Sequence, residues 1–226
     1  MKRRGVEICM AVLLFVGLAI TPALGSIAEA SDTNKVSVYF WDLTGKRPEK
    51  KVLEFTQSDW ADFKNQVREI RATSTSMEES LNAQFALFKE RGIISYDMTY
   101  ETLKASAAER FSNRHYRQPR APLADNIIIN AICAISFQLT NGTTLVFGLN
   151  TFINLVGFDI ISFHKGYSPT GIDTKGLMQQ ATAPGEYIGS MFGLLGYWFG
   201  TKTGTGVYSD LTVAGFTVGT AWFPIS

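Results

Sequence analysis

Charged residues and glycines are divided unevenly between two parts of this chain, and that division constrains its fold more than any other feature. Residues 31–120 contain 28 charged residues and two glycines, whereas residues 121–226 contain eight charged residues and 15 glycines. At the seam, Pro119 and Pro122 favour an extended connection rather than a helix. The predicted division is a module over 31–118, a linker over 119–122 and a second domain over 123–226.

Residues 1–30 have the pattern of a secretory signal peptide. Three basic residues precede an apolar run of 13 residues that ends at Ile20, and an A-x-A site stands before Ser31. The run is shorter than the ~20 residues that span a bilayer as a helix, which favours cleavage. An uncleaved anchor through residues 8–27 is the alternative. We therefore expect a secreted or extracytoplasmic protein of the cell envelope.

Charge balance and cysteine content exclude several classes of protein. Without residues 1–30 the chain has 18 basic and 18 acidic residues, a balance that argues against a nucleic-acid-binding protein. Cys133 is then the one remaining cysteine, so an internal disulfide is excluded. The sequence contains no zinc-ligand spacing and no phosphate-binding glycine loop, and we predict neither a metal nor a cofactor.

The segment after the leader predicts a β-hairpin followed by two or three amphipathic helices. Residues 35–41 and 52–56 are rich in β-branched and aromatic residues, which favour strands. Thr56 and Ser76 each precede an acidic residue by three positions, which is the spacing of a helix cap. Apolar residues at helical spacing then form three stripes, which we interpret as core-facing: Trp60, Phe63, Val67 and Ile70; Met77, Leu81, Phe85 and Phe88; Tyr100, Leu103, Ala107 and Phe111.

The second part reads as a glycine-rich antiparallel β domain. Apolar residues alternate over 127–139, and Asn141-Gly142 then predicts a hairpin turn. Residues 152–163 are apolar on both faces, which is typical of a central or a lipid-contacting strand. Other strands are predicted over 143–149, 187–199 and 211–223, with a long loop over 167–185. The whole chain is therefore predicted to have an α+β fold whose β part is a sandwich or a small barrel.

Few residues of the β part could carry catalysis. Asp159 lies within an apolar segment and is followed by Ser162 and His164, which resembles a catalytic triad. On one strand, however, Asp159 would point away from the other two side chains, so a working triad is not expected. Asp159 and His164 remain the candidate catalytic residues. Paired carboxylates could instead support glycoside hydrolysis, and the acids available for this are Asp159, Asp173, Glu186 and Asp210.

Two further features point to binding or modification. A basic cluster follows the third predicted helix and includes Arg110, Arg114, Arg117 and Arg120. Behind a signal peptide, such a cluster suits anionic lipid or an acidic surface polymer, unless it is only a solvated helix end. Asn141 begins an N-x-[ST] sequence and is the candidate glycosylation site.

Together these observations predict an exported or cell-surface protein with a structural or interaction role and no catalysis. The expected partner is a membrane surface or another cell-envelope protein, and a homo-oligomer is also open. Strands that are apolar on both faces favour a first alternative, which is a membrane-associated or oligomeric β assembly. A second alternative is a secreted hydrolase that uses carboxylates of its strands or loops.

Overall fold

Three helices and an antiparallel sheet make up the part of the chain that the computed structural model describes. That part comprises residues 35–45, 49–111, 127–147, 161–176, 180–181, 184–204 and 207–225. The helices are α1 (Gln57–Thr73), α2 (Met77–Glu90) and α3 (Tyr100–Phe111). The strands are β1 (Lys35–Asp42), β2 (Glu49–Thr56), β3 (Ile128–Gln138), β4 (Thr140–Phe147), β5 (Ile161–Ser168), β6 (Ile172–Lys175), β7 (Gln180–Ala181), β8 (Gly185–Gly204) and β9 (Val207–Pro224). The predicted α+β class is confirmed.

The sheet is organised around β8 and β9, which have 20 and 18 residues and pair along almost their whole length. The strand order is β2-β1-β8-β5-β4-β9-β3-β6-β7, and only β7 is shorter than four residues among these strands. The outer edge of β8 pairs with β5 and then with β1, while β9 pairs with β4 and then with β3. The strands β2 and β7 end the sheet, which is not closed into a barrel. The small barrel among the predicted forms is therefore wrong.

Both predicted caps start helices in the structure. The Thr56 side chain accepts a hydrogen bond from the backbone N–H of Asp59 at 3.0 Å, and Ser76 accepts one from Glu79 at 3.1 Å. Glu79 in return accepts a hydrogen bond from the backbone N–H of Thr75 at 2.8 Å, which completes a reciprocal cap. These bonds satisfy donors that the first turn of a helix leaves free, so the helices begin where the sequence predicts.

One face of the sheet is covered by the three helices. Phe63 of α1 and Phe88 of α2 pack against Phe199 of β8, with ring centroids 5.5 and 4.8 Å apart. Burying one such ring contributes about 1.5–3 kcal/mol. The predicted stripes are buried here, apart from Ile70, which is partly buried, and Phe111, whose side chain is not described. Helices and strands share this first core, and the linker predicted over 119–122 lies outside the described residues.

The opposite face of the sheet carries a second core. The side chains of β8 that face this core are at odd positions in the first half of the strand, as in Tyr187 and Met191. In the second half they are at even positions, as in Trp198. The alternation reverses because Gly193 has a φ of +67°, and Ile132 in the same row of the sheet has a φ of +43°. A positive φ within a ladder is typical of a bulge, which bends the strand and redirects its side chains. The same strands can therefore serve both cores.

Two expectations about the β part are wrong. Asn141 and Gly142 do not form a hairpin turn, because they lie inside β4 at an irregularity of its pairing with β5. The edges of β3 pair with β6 and β9 instead of β4. The long loop predicted over 167–185 contains β6 and β7. In both places a distant partner provides backbone hydrogen bonds that local sequence does not reveal. Of the strand predicted over 152–163, only residues 161–163 are described, at the start of β5.

Candidate functional site

Asp173, one of the acids considered for hydrolysis, forms an ion pair with Arg71 of α1. The Arg71 guanidinium donates to the Asp173 carboxylate from Nη2 at 2.7 Å and from Nε at 3.2 Å. Nη2 also donates to the carbonyl of Gly171 at 2.6 Å. Arg71 is 7% exposed, and burial lowers its pKa although Asp173 acts in the opposite direction. The Asp173 carboxylate therefore anchors a helix to β6.

Asp210 is also paired with helix α1. Its carboxylate accepts a hydrogen bond from Lys64 Nζ at 2.9 Å. Asp210 has a φ of +48° and lies where the pairing of β8 with β9 shifts register, between the partners of Phe199 and Thr201. A bulge of this kind can turn a side chain out of the normal alternation. Both carboxylates thus bind cations of helix α1, and their part in the predicted hydrolase activity stays a prediction.

His164 is packed among aromatic rings. It is 2% exposed, its ring stacks on Trp222 at 5.2 Å, and Phe137 meets it edge-on at 5.4 Å. Burial lowers the pKa of His164 to about 3, so the imidazole is neutral near neutral pH. Asp159 lies outside the described residues. The catalytic assignment of Asp159 and His164 thus stays a prediction, and the surroundings of His164 are those of a core residue.

Cys133 is a buried free thiol in β3. Burial raises the pKa of this thiol, which keeps it in the unreactive protonated form. A thiol in such an environment packs as a small hydrophobic side chain. In the part of the chain that the structure describes, no three His, Cys, Asp or Glu residues come together as a metal site.

Arg110 is the one member of the basic cluster within the described residues. Its Nη2 donates to the carbonyls of Thr44 and Gly45 at 3.0 and 2.6 Å. Arg110 therefore holds the end of α3 against the turn that follows β1. Arg114, Arg117 and Arg120 lie outside the described residues, so the anionic surface predicted for this cluster stays a prediction. The side chain of Asn141 is likewise not described, and its glycosylation stays a prediction.

A cluster that sequence reasoning missed lies where the second core reaches the surface, and we call it the aromatic–lysine patch. Its members are Tyr39, Trp41, Lys50, Val52, Lys202 and Tyr208. Lys50 Nζ lies 4.7 Å from the centre of the Tyr39 ring and 5.2 Å from that of Trp41, and Lys202 Nζ lies 5.7 Å from Tyr39. The register explains this arrangement, because Lys50 is opposite Trp41 and Lys202 is opposite Tyr208.

The rings of the patch are fixed from below by the second core. Tyr208 meets Tyr39 and Trp198 edge-on, with centroids 5.7 and 4.7 Å apart. The ring of Trp198 lies over Gly200, where a Cβ atom would come within 2.9 Å of it. The sequence alone indicates that Tyr39 and Trp41 share one face of β1, because they are two positions apart in a strand. The two lysines are assigned to the same face only by the pairing of β1 with β2 and β8.

A shallow groove lies between α1 and α2. It has a volume of about 450 Å³, and its lining includes Ile70, Leu87, Glu69 and Glu90. The groove is widely open and contains none of the residues predicted as functional. No helix within the described ranges has the length and apolar character needed to cross a bilayer.

The chain matches no known protein family, no curated protein and no solved structure.

Proposed function

We propose that this chain is an exported, non-catalytic interaction protein of the cell surface or envelope, which residues 1–30 direct to export before they are removed. The aromatic–lysine patch is the observation that carries this proposal. It places two ammonium groups and the exposed side chain of Val52 on one outer face. By contrast, Asp173, Asp210 and His164 are used in contacts inside the fold.

A membrane-associated or oligomeric β assembly is the second candidate, and an exposed apolar pair favours it. Ile188 of β8 and Tyr167 of β5 are 41% and 49% exposed. They lie on neighbouring strands, since Lys165 pairs with Ile188 and Tyr167 pairs with Glu186. Exposed apolar side chains on paired strands can be covered by lipid or by a second copy. Light scattering of the full chain with and without detergent distinguishes this candidate, which requires a detergent-dependent or oligomeric species.

We also propose that the β part is sandwich-like, with β5 lying over the second core. The contacts of His164 in β5 with Phe137 in β3 and Trp222 in β9 support this arrangement. Packing of side chains between two layers of strands is the defining feature of a sandwich.

Fractionation of cells that express the full chain with a C-terminal tag tests the proposed function. We expect the tagged protein outside the cytoplasm, with a new N-terminus near Ser31, and retained by the envelope at low salt. Retention should decrease as salt increases, because exposed charges are screened. An unprocessed protein confined to the cytoplasm would contradict the proposal.

A further inference from the structure

We infer that the aromatic–lysine patch binds the anionic groups of an acidic surface polysaccharide. This inference rests on the proposed function and specifies the partner of that interaction protein.

The two cations approach one ring from different strands. Lys50 comes from β2 and Lys202 from β8, and these strands pair with opposite edges of β1, which carries Tyr39. Their Nζ atoms lie 4.7 and 5.7 Å from the Tyr39 ring centre. The attraction of an aromatic face holds an ammonium group in place but does not neutralise its charge. Two positive charges thus approach Tyr39 from the two strands that flank β1.

The acids near the patch have other partners. Glu54 lies on the same face, and its carboxylate accepts a hydrogen bond from Ser37 at 2.8 Å. Glu49 pairs with Lys51 at 3.9 Å, and Asp42 accepts hydrogen bonds from Thr44. Among the described residues, neither Lys50 nor Lys202 forms an ion pair with a carboxylate. Both ammonium groups are therefore open to an anionic partner.

The surface fits an extended polymer better than a bilayer. Binding to a membrane interface needs apolar side chains that insert between lipids. Here Trp41 and Tyr208 are only 9% and 6% exposed, so their rings support the lysines without protruding. Val52 and the half-buried Tyr39 leave a small flat apolar area between the charges. Such an area can contact the C–H face of a sugar ring while the lysines bind its acidic groups.

Edge protection is the competing explanation for Lys50. The strand β2 lies at the edge of the sheet, where lysines discourage pairing with another chain. That role predicts aggregation when the lysine is lost, with no change in affinity for a polyanion. The two explanations therefore differ in what a binding measurement shows.

The test compares two double variants of the full chain that carry the same change of charge. Lys50→Glu/Lys202→Glu reverses the patch, and Lys165→Glu/Lys175→Glu reverses two exposed lysines of β5 and β6. The probes are polygalacturonate, polyphosphate and vesicles of phosphatidylglycerol with phosphatidylcholine. We expect the patch variant to bind polygalacturonate about tenfold more weakly at low salt and the control to stay within about twofold, because exposed charge pairs contribute modestly. Lys50→Arg/Lys202→Arg should retain binding.

Each other outcome overturns the inference. Equal losses in both double variants would show non-specific attraction. Patch-dependent binding of vesicles alone would identify a lipid partner, and of polyphosphate alone a phosphate polymer. Aggregation with unchanged affinity would identify edge protection. If circular dichroism shows that the charge reversal disturbs folding, the neutral variant Lys50→Gln/Lys202→Gln replaces it in the same binding comparison, and unchanged affinity for polygalacturonate then overturns the inference. An exported chain that stays on the envelope despite the patch substitutions would refute the patch as the binding surface, whereas an unprocessed chain in the cytoplasm would refute the proposed function itself.

Discussion

The two faces of the sheet are stabilised in different ways. The helix-covered face has a mainly apolar core in which phenylalanines of α1 and α2 pack against β8. The opposite face contains tryptophan, tyrosine and a buried histidine, and at one end it reaches solvent through the aromatic–lysine patch. On the first face the buried polar groups join the helices to the sheet, as in the hydrogen bond from Gln84 of α2 to Ser136 of β3 at 3.0 Å and the Arg71–Asp173 ion pair. On the second face the buried polar side chains lie among the aromatic rings themselves. Substitutions on each face, and in the ion pairs that join α1 to the sheet, test this difference.

The largest effect is expected from the helix-covered face. Phe88→Ala should lower the free energy of unfolding by about 4 kcal/mol, because it leaves a cavity among Phe63, Phe85 and Phe199. Urea denaturation followed by circular dichroism measures the change. Glu78→Ala, at an exposed position of the same helix, is the control and should change stability by under about 0.5 kcal/mol. A loss below about 1 kcal/mol for Phe88→Ala would show that the helices are not essential to this core.

The next effect concerns the ion pair between α1 and β6. Asp173→Asn should lower the free energy of unfolding by about 3 kcal/mol, since it leaves the buried Arg71 cation without its counter-charge. Replacing both partners, as in Arg71→Met/Asp173→Leu, should restore part of the loss because no unpaired charge remains. Thermal unfolding of the single and double variants measures this. An additive loss in the double variant would contradict the explanation.

The second core should make stability depend on pH. The pKa of His164 is about 3 in the folded chain and 6.5 in the unfolded chain, so below pH 6.5 only the unfolded chain takes up the proton. Above pH 6.5, His164 does not reduce the free energy of unfolding. Below pH 6.5, protonation of His164 in the unfolded chain lowers that free energy by about 1.4 kcal/mol per pH unit until the pH approaches 3. His164→Phe should remove this part of the slope between pH 6 and 4. Identical slopes in urea denaturation of both proteins would place His164 in solvent.

The smallest effect is expected at the second ion pair of α1. Lys64→Met should lower the free energy of unfolding by less than about 1 kcal/mol, because Lys64 and Asp210 remain 19% and 27% exposed and water screens their attraction. A salt titration of unfolding provides the check, since the contribution should decrease with ionic strength. A loss as large as that of Asp173→Asn would remove the distinction between the two ion pairs.

Local signals predicted the helical part well. The caps at Thr56 and Ser76 and the apolar stripes appear where the sequence places them, because both depend on residues three or four positions apart. The strand pairing was predicted less well. Asn141-Gly142 is a strong local signal for a hairpin between β3 and β4. In the structure, however, both edges of β3 are paired with β6 and β9, and Asn141-Gly142 lies inside β4. Local preference is overridden when a distant strand offers a better ladder.

The candidate site was predicted only in part. His164 was predicted as a candidate catalytic residue and Arg110 as a candidate binding residue, but their ring contacts and carbonyl partners follow from the fold. The patch was missed because Lys50 and Lys202 are 152 positions apart in the chain and meet only across β1. Contacts between residues so far apart in the chain depend on which strands pair and in which register, and local sequence patterns do not reveal this.

The sequence by itself determined the helices, their starting points and the long apolar strands β8 and β9. These follow from periodicity and capping, which are properties of short segments. Only the tertiary structure decided how β3 pairs, where the alternation reverses at Gly193, and which cations Asp173 and Asp210 bind. Arg71 and Asp173 are separated by 102 positions. Their meeting depends on the packing of α1 against the far strands of the sheet, because burial and register arise only when the whole chain has folded.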